Sequence, residues 1–144
     1  VAYLLTKVQK GNPMPYLFTV AGGPVLDLDD IAKQLREQIS TLPPNEPQLA
    51  KQELTIQTGV VAFLEVVRGN ETPHTHPESD LIFSVLEGGG YVELLTGIVS
   101  APAGTTVVIP KGMCHAYYNT AETDSVLLAT FSPAIPDKGE CAES

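Results

Sequence analysis

Basic residues are scarce in this chain: eight lysines and arginines stand against seventeen aspartates and glutamates, for a formal net charge of −9 at neutral pH. Such a surface repels phosphate backbones and anionic lipid headgroups, so nucleic acid is a poor partner. Long apolar runs are lacking too. None approaches the roughly 20 residues that a membrane helix requires, and no membrane partner is expected. Cysteine is limited to Cys114 and Cys141, too few for a disulfide framework, and both are expected as free thiols. No leader is legible in the chain as written, which opens on Val1, and the expected compartment is the cytoplasm. Low-complexity tracts are absent. With 43% hydrophobic and 17% charged residues, the composition is that of a soluble globular protein.

What is present fits one domain, because 144 residues suffice for one genuine core and leave no room for a second. The opening VAYLLTKV is strand-like and apolar, and GNPMP then breaks it, so it reads as an edge or arm strand. From Asp27 to Leu42 the pattern changes to Ile31, Leu35 and Ile39 at intervals of four, with Asp29 and Asp30 in the first turn. That predicts an amphipathic helix ending before Pro43 and Pro44. Residues 1–49 thus form an arm and helix that pack on a barrel made of residues 50–144.

Beyond PPNEP the chain becomes a succession of short β-branched and aromatic runs: ELTIQT, VVAFLEVV, LIFSVLE, YVELL, TTVVIP, HAYYN and SVLLATF. Turn-forming stretches separate them, among them EGGG, which reads as a hairpin turn between LIFSVLE and YVELL. About seven or eight strands at this spacing predict an antiparallel sandwich or small barrel. Several runs are apolar at nearly every position, so both faces of those strands should be covered, one by the interior and the other by the helix, the arm or a second subunit. A homodimer is the expectation, with the helix alone as the simpler cover.

The chain holds three histidines, and all fall in two of the predicted hairpins. His74 and His76 are two apart, and a strand turns such residues to one face with about 6.6 to 6.8 Å between their Cα atoms. His115 lies where one strand closes at Pro110, turns through Lys111 and Gly112, and re-enters as HAYYN. Spacing alone leaves two readings: a shared metal site, or a solvated two-histidine turn with His115 hydrogen-bonded in the core.

The motifs favour the first. Gly104, Pro110, Gly112, His115 and Asn119 match the second motif of the cupin family, G(X)5PXG(X)2H(X)3N, at every fixed position. The stretch from Gly69 to Gly88 resembles the first motif, G(X)5HXH(X)3-4E(X)6G, through His74, His76 and Gly88, with one residue fewer after Gly69. The resemblance covers roughly residues 50 to 133. It implies an all-β cupin jelly-roll barrel with one divalent metal ion inside it, iron first and zinc, nickel, copper or manganese as alternatives, held by His74, His76 and His115.

The departure from the family pattern is at the acidic ligand. Counting back from Gly88 reaches Leu81, and counting forward from His76 reaches Asp80. In a regular strand Leu81, Phe83 and Val85 share the inward face as an apolar substrate wall, and Asp80 points away. A bulge would instead bring Asp80 to the metal. Glu78 reads as a solvated turn carboxylate. Tyr117 shares the inward face of His115 and is a candidate donor to a metal-bound ligand, or else is simply packed. Glu65, inside VVAFLEVV, is either a working acid or base, or an edge residue that meets water. Cys114 alternates away from the metal. The triplet Asn70, Glu71, Thr72 matches a glycosylation acceptor and is too short to carry weight.

A cupin of this kind resembles iron-dependent dioxygenases with three histidines and no glutamate, acting on a small organic molecule. Metal-assisted decarboxylation, isomerisation or cyclisation, with Glu65, Asp80 or Tyr117 moving the proton, is the second expectation. A non-catalytic ligand-binding barrel is the third. No arginine inside the motifs announces a carboxylate or phosphate on the substrate.

Overall fold

The computed structural model describes residues 16–57 and 59–142. The apolar opening VAYLLTKV, expected as an arm strand, lies outside the described residues. A hairpin of β1 (Leu17–Thr19) and β2 (Val25–Asp27) comes first among them. Sequence patterning does not mark it, since strands of three residues carry too little alternation to read.

Helix α1 (Leu28–Ile39) follows directly. Its cap is Asp27, whose carboxylate accepts from the backbone N–H groups of Asp29 and Asp30 at 3.0 and 3.2 Å. Two of the donors that a helix start leaves unpaired are thereby satisfied. The predicted stretch to Leu42 is longer than the helix, because Thr41 and Leu42 donate to carbonyls only three residues back, those of Gln38 and Ile39. The apolar stripe Leu28, Ala32, Leu35 and Ile39 is buried against Leu64, Val66 and Val126. Each large aliphatic side chain so buried contributes roughly 1.5–3 kcal/mol. Arg36 adds a polar anchor, its Nε lying 3.1 and 3.2 Å from the two carboxylate oxygens of Asp124 and its Nη2 3.1 Å from Glu87.

The barrel strands are β3 (Leu49–Gln57), β4 (Val60–Val67), β5 (Asp80–Glu87), β6 (Gly89–Leu94), β7 (Gly97–Pro102), β8 (Thr106–Ile109), β9 (His115–Asn119) and β10 (Ser125–Ser132). They form a five-stranded sheet, in the order β3-β4-β10-β5-β8, facing a three-stranded sheet, β7-β6-β9. Every pairing is antiparallel, as in the jelly roll that the motifs imply. Strand β7 is absent from the sequence-based set, because GIVSAP is mostly exposed and shows no apolar alternation.

The apolar runs have two destinations. On β4, Val61, Phe63 and Val67 pack between the sheets while Leu64 and Val66 meet the helix. The helix therefore covers part of the outer face. Farther along the same sheet Ile82 and Val108 stay 47% and 59% exposed. No helix among the described residues is long and apolar enough to cross a membrane.

Two expectations are corrected. Gly88–Gly90 do not make a hairpin turn: β5 and β6 belong to different sheets, Gly88 alone links them, and Gly89 and Gly90 already pair with Pro102 and Ala101. At Gly90 a Cβ would overlap the Tyr118 carbonyl oxygen, so glycine here permits a close approach of two backbones. Cys114 and Cys141 are not free thiols but a disulfide, with Cα atoms 5.4 Å apart. Their separation of 27 residues carries no sign of proximity. It arises because the tail after β10 folds back across the barrel mouth. There the Ser79 hydroxyl donates to the Ile135 carbonyl at 2.8 Å, and Thr75 and Gly139 exchange two backbone hydrogen bonds of 2.9 Å.

Candidate metal centre

Backbone pairing brings the two motifs together. His74 and His115 exchange N–H to carbonyl bonds of 3.1 and 3.0 Å. Gly112, at φ +80° in the left-handed region that glycine tolerates, donates its N–H to the His76 carbonyl at 2.9 Å. The turn that leads into His115 is thus fastened to His76. Asn119 of the same motif is a structural node: its Oδ1 accepts from Ala121 N–H at 3.1 Å and from the Ser125 hydroxyl at 2.7 Å. Of the five fixed residues in that motif, His115 is the one that enters the site.

His74, His76 and His115 are buried, and their nearest ring nitrogens lie within 4.8 Å of one another. Each Nδ1 faces a backbone carbonyl, of Thr72 at 2.7 Å, Pro136 at 3.0 Å and Met113 at 2.9 Å respectively. A carbonyl oxygen only accepts, so each Nδ1 carries a proton, and a ring with that tautomer has its lone pair on Nε2 when neutral. His74 Nε2 and His76 Nε2 are 3.2 Å apart, and His115 Nε2 is buried with no hydrogen-bond partner. Lone pairs converging in this way repel one another unless a cation lies among them. Burial lowers the proton affinity of His74 and holds that of His76 down at about 4, so both rings are neutral at pH 7, the form in which imidazole can bind a metal. The residues present therefore fit a metal ion.

Around this cluster is a narrow cavity that opens to solvent. Phe63, Leu81, Phe83, Leu127 and Phe131 supply its apolar wall. Of the three residues expected as the wall on β5, Leu81 and Phe83 line the cavity and Val85 does not. Val85 shares their face but sits farther along the strand, closed in the core at 1% exposure.

Asp80 is corrected as a proton carrier and as a ligand. It is exposed, its Oδ1 accepts from the Lys111 N–H at 2.9 Å, and the pairing of Asp80 with Ser132 and Leu81 with Phe131 is regular, so no bulge turns it inward. Glu78 is exposed as well. Tyr117 lines the cavity, but its hydroxyl is spent on Ser125 Oγ at 2.9 Å. That corrects the expectation of a donor to a metal-bound ligand, since a phenol has one proton to give.

Glu65 is not an edge residue. It stands on β4 between β3 and β10, 8% exposed, and faces the cavity. Burial first and the neighbouring Glu71 carboxylate second raise its pKa well above the ordinary value, which favours its protonated form. Glu71 is the residue that spacing did not reveal, because it lies in the loop between Gly69 and His74, outside any strand alternation. It lines the cavity, and its Oε1 accepts from the Tyr117 N–H at 2.9 Å.

Residues 62–131 match the family model described as a cupin domain. An uncharacterized protein of Aquifex aeolicus (strain VF5) is 35% identical over 117 residues, 79% of this chain and 88% of that one. Oxalate oxidase 1 of Hordeum vulgare is 31% identical over 80 residues, 47% of this chain and only 38% of the relative's own length. Among solved structures, KdgF from Halomonas sp. is 28% identical with a TM-score of 0.56, over 63% of this chain and 84% of that one. Two antiparallel sheets, the two histidine-bearing motifs and these likenesses agree: the chain belongs to the cupin superfamily.

Proposed function

We propose that this cupin is a metal-dependent enzyme acting on a small organic molecule, with His74, His76 and His115 as its ligands. The observation that carries the reading is the convergence of three Nε2 lone pairs, each fixed by an Nδ1 proton given to a carbonyl. A bound divalent ion would supply Lewis acidity and, if it is iron, oxygen activation. Three neutral ligands leave its charge uncompensated, which suits an anionic or oxygen-rich partner. Iron-dependent dioxygenase chemistry is the first reading, supported by the neutral ligand set and the partial likeness to an oxalate oxidase.

Within this reading Leu81 and Phe83 exclude water beside the histidines, and Glu65 sets a carboxyl of raised pKa within the same cavity. That buried carboxyl favours one second reading, metal-assisted decarboxylation, isomerisation or cyclisation, in which Glu65 delivers or takes the proton. A homodimer joined through the outward Ile82 and Val108 remains our proposal for the assembly. The disulfide favours an oxidising compartment over the cytoplasm.

Oxygen uptake by iron-loaded protein with dicarbonyl and phenolic substrates tests the first reading. Uptake that vanishes in His115→Ala with folding intact supports it. Proton exchange or decarboxylation without oxygen, dependent on Glu65, supports the second. Ligand binding unchanged in His115→Ala, with no turnover in the parent, overturns both in favour of a binding barrel.

A further inference from the structure

The two lysines at the cavity come from outside both motifs. Lys51 is on β3 directly across from Glu65, and paired residues on neighbouring strands point to the same face, so it points inward. Its Nζ lies over the Phe63 ring, 5.0 Å from the centroid. Lys138 belongs to the tail that crosses the mouth. Because Gly139 pairs with Thr75, one step along the antiparallel bridge sets Lys138 opposite His76, on the face that the histidines share.

Both lysines line the cavity, and among the described residues the ion pairs are made by Arg36 and Arg68, not by these two. Two acids line the cavity with them: burial raises the pKa of Glu65, and Glu71 accepts the Tyr117 N–H through one oxygen of its carboxylate. A chain of net charge −9 thus places two lysines, neither in an ion pair among the described residues, at the cavity that holds the three histidines. The disulfide at Cys141 holds the tail in place three residues beyond Lys138.

We propose that Lys51 and Lys138 form an anion clamp that selects small organic acids, the carboxylate lying between the two ammonium groups and an apolar body along Phe63 and Phe131. This rests on the metal reading only in placing the reacting end of the substrate at the histidines. Specificity for the acid comes from the lysines, and the apolar wall sets the size of the body.

The test compares acids with their neutral amides, hexanoate with hexanamide and phenylacetate with phenylacetamide, titrated into metal-loaded protein with metal content recorded for each sample. Acids should bind about tenfold more tightly than amides, a difference of about 1.4 kcal/mol, and added salt should shrink it. Lys138→Met and Lys51→Met should each reduce the ratio, the double variant should bring it near one, and Lys138→Arg should keep most of it. Equal binding of acid and amide overturns the clamp, as does a preference unchanged in the double variant or the failure of both acids to bind at about 10 mM. His76→Ala separates the two proposals. A lysine-dependent preference that survives in protein holding no metal supports the clamp, and failure of the parent to take up metal sinks the metal reading alone.

Discussion

Cys141 is bonded to Cys114, the residue that precedes His115, so the tail over the cavity mouth is tied to the strand that carries His115. The same tail provides the Pro136 carbonyl that accepts from His76 Nδ1. One covalent bond thus joins the surroundings of two of the three histidines.

Cutting that tie should loosen the tail before it unfolds the barrel. The bridge closes a loop of 27 residues, for which chain entropy assigns about 3.5 kcal/mol of stability. Cys141→Ser, or reduction of the parent, is expected to lower the denaturant midpoint accordingly and to weaken metal binding about tenfold, the usual cost of losing a partner behind a ligand. Unfolding curves and metal titrations with and without reductant check both.

The metal-free protein should lose stability as pH falls. His76 has a folded pKa of about 4, below the usual 6.5, so the unfolded chain takes up a proton that the folded one refuses. Its contribution is complete above about pH 6.5 and is lost progressively as pH drops toward 4, and His74 acts in the same direction. Denaturation midpoints measured between these limits should decline, and metal should be released over the same range.

Glu65→Gln replaces a buried carboxyl by a permanently neutral group of the same shape. Because the folded pKa of Glu65 is raised, its contribution is present at acid pH and lost as pH rises, so the variant should match the parent at low pH and gain on it in alkali. If Glu65 moves the substrate proton, turnover should fall by about 10²–10⁴ with binding little changed. Paired stability and kinetic pH profiles distinguish these effects.

Gly90→Ala should be among the most damaging small changes. The added Cβ meets the Tyr118 carbonyl oxygen rather than a movable side chain, so β6 and β9 must separate. A loss of about 3 kcal/mol, the upper end for overpacking, is expected in chemical denaturation.

The three histidines and the barrel were legible because both depend on local rules. Residues two apart share a strand face, and the motif from Gly104 to Asn119 specifies its own turn. Leu81 and Phe83 followed from the same alternation. What local spacing could not reveal comes from chain segments distant in sequence. Glu71 reaches the cavity from a loop, Lys138 from the tail, and Cys141 finds Cys114 only because that tail returns. Tyr117 shows the complementary failure: alternation gave its face correctly, but its proton went to Ser125, on a strand that spacing does not relate to it.

Elemental analysis of untagged protein purified without added metal, repeated on His76→Ala, tests the central claim most directly. Near-stoichiometric iron, nickel, zinc, copper or manganese in the parent, lost in a folded variant, is the predicted result. A parent that folds and neither contains nor takes up a divalent metal would contradict the account.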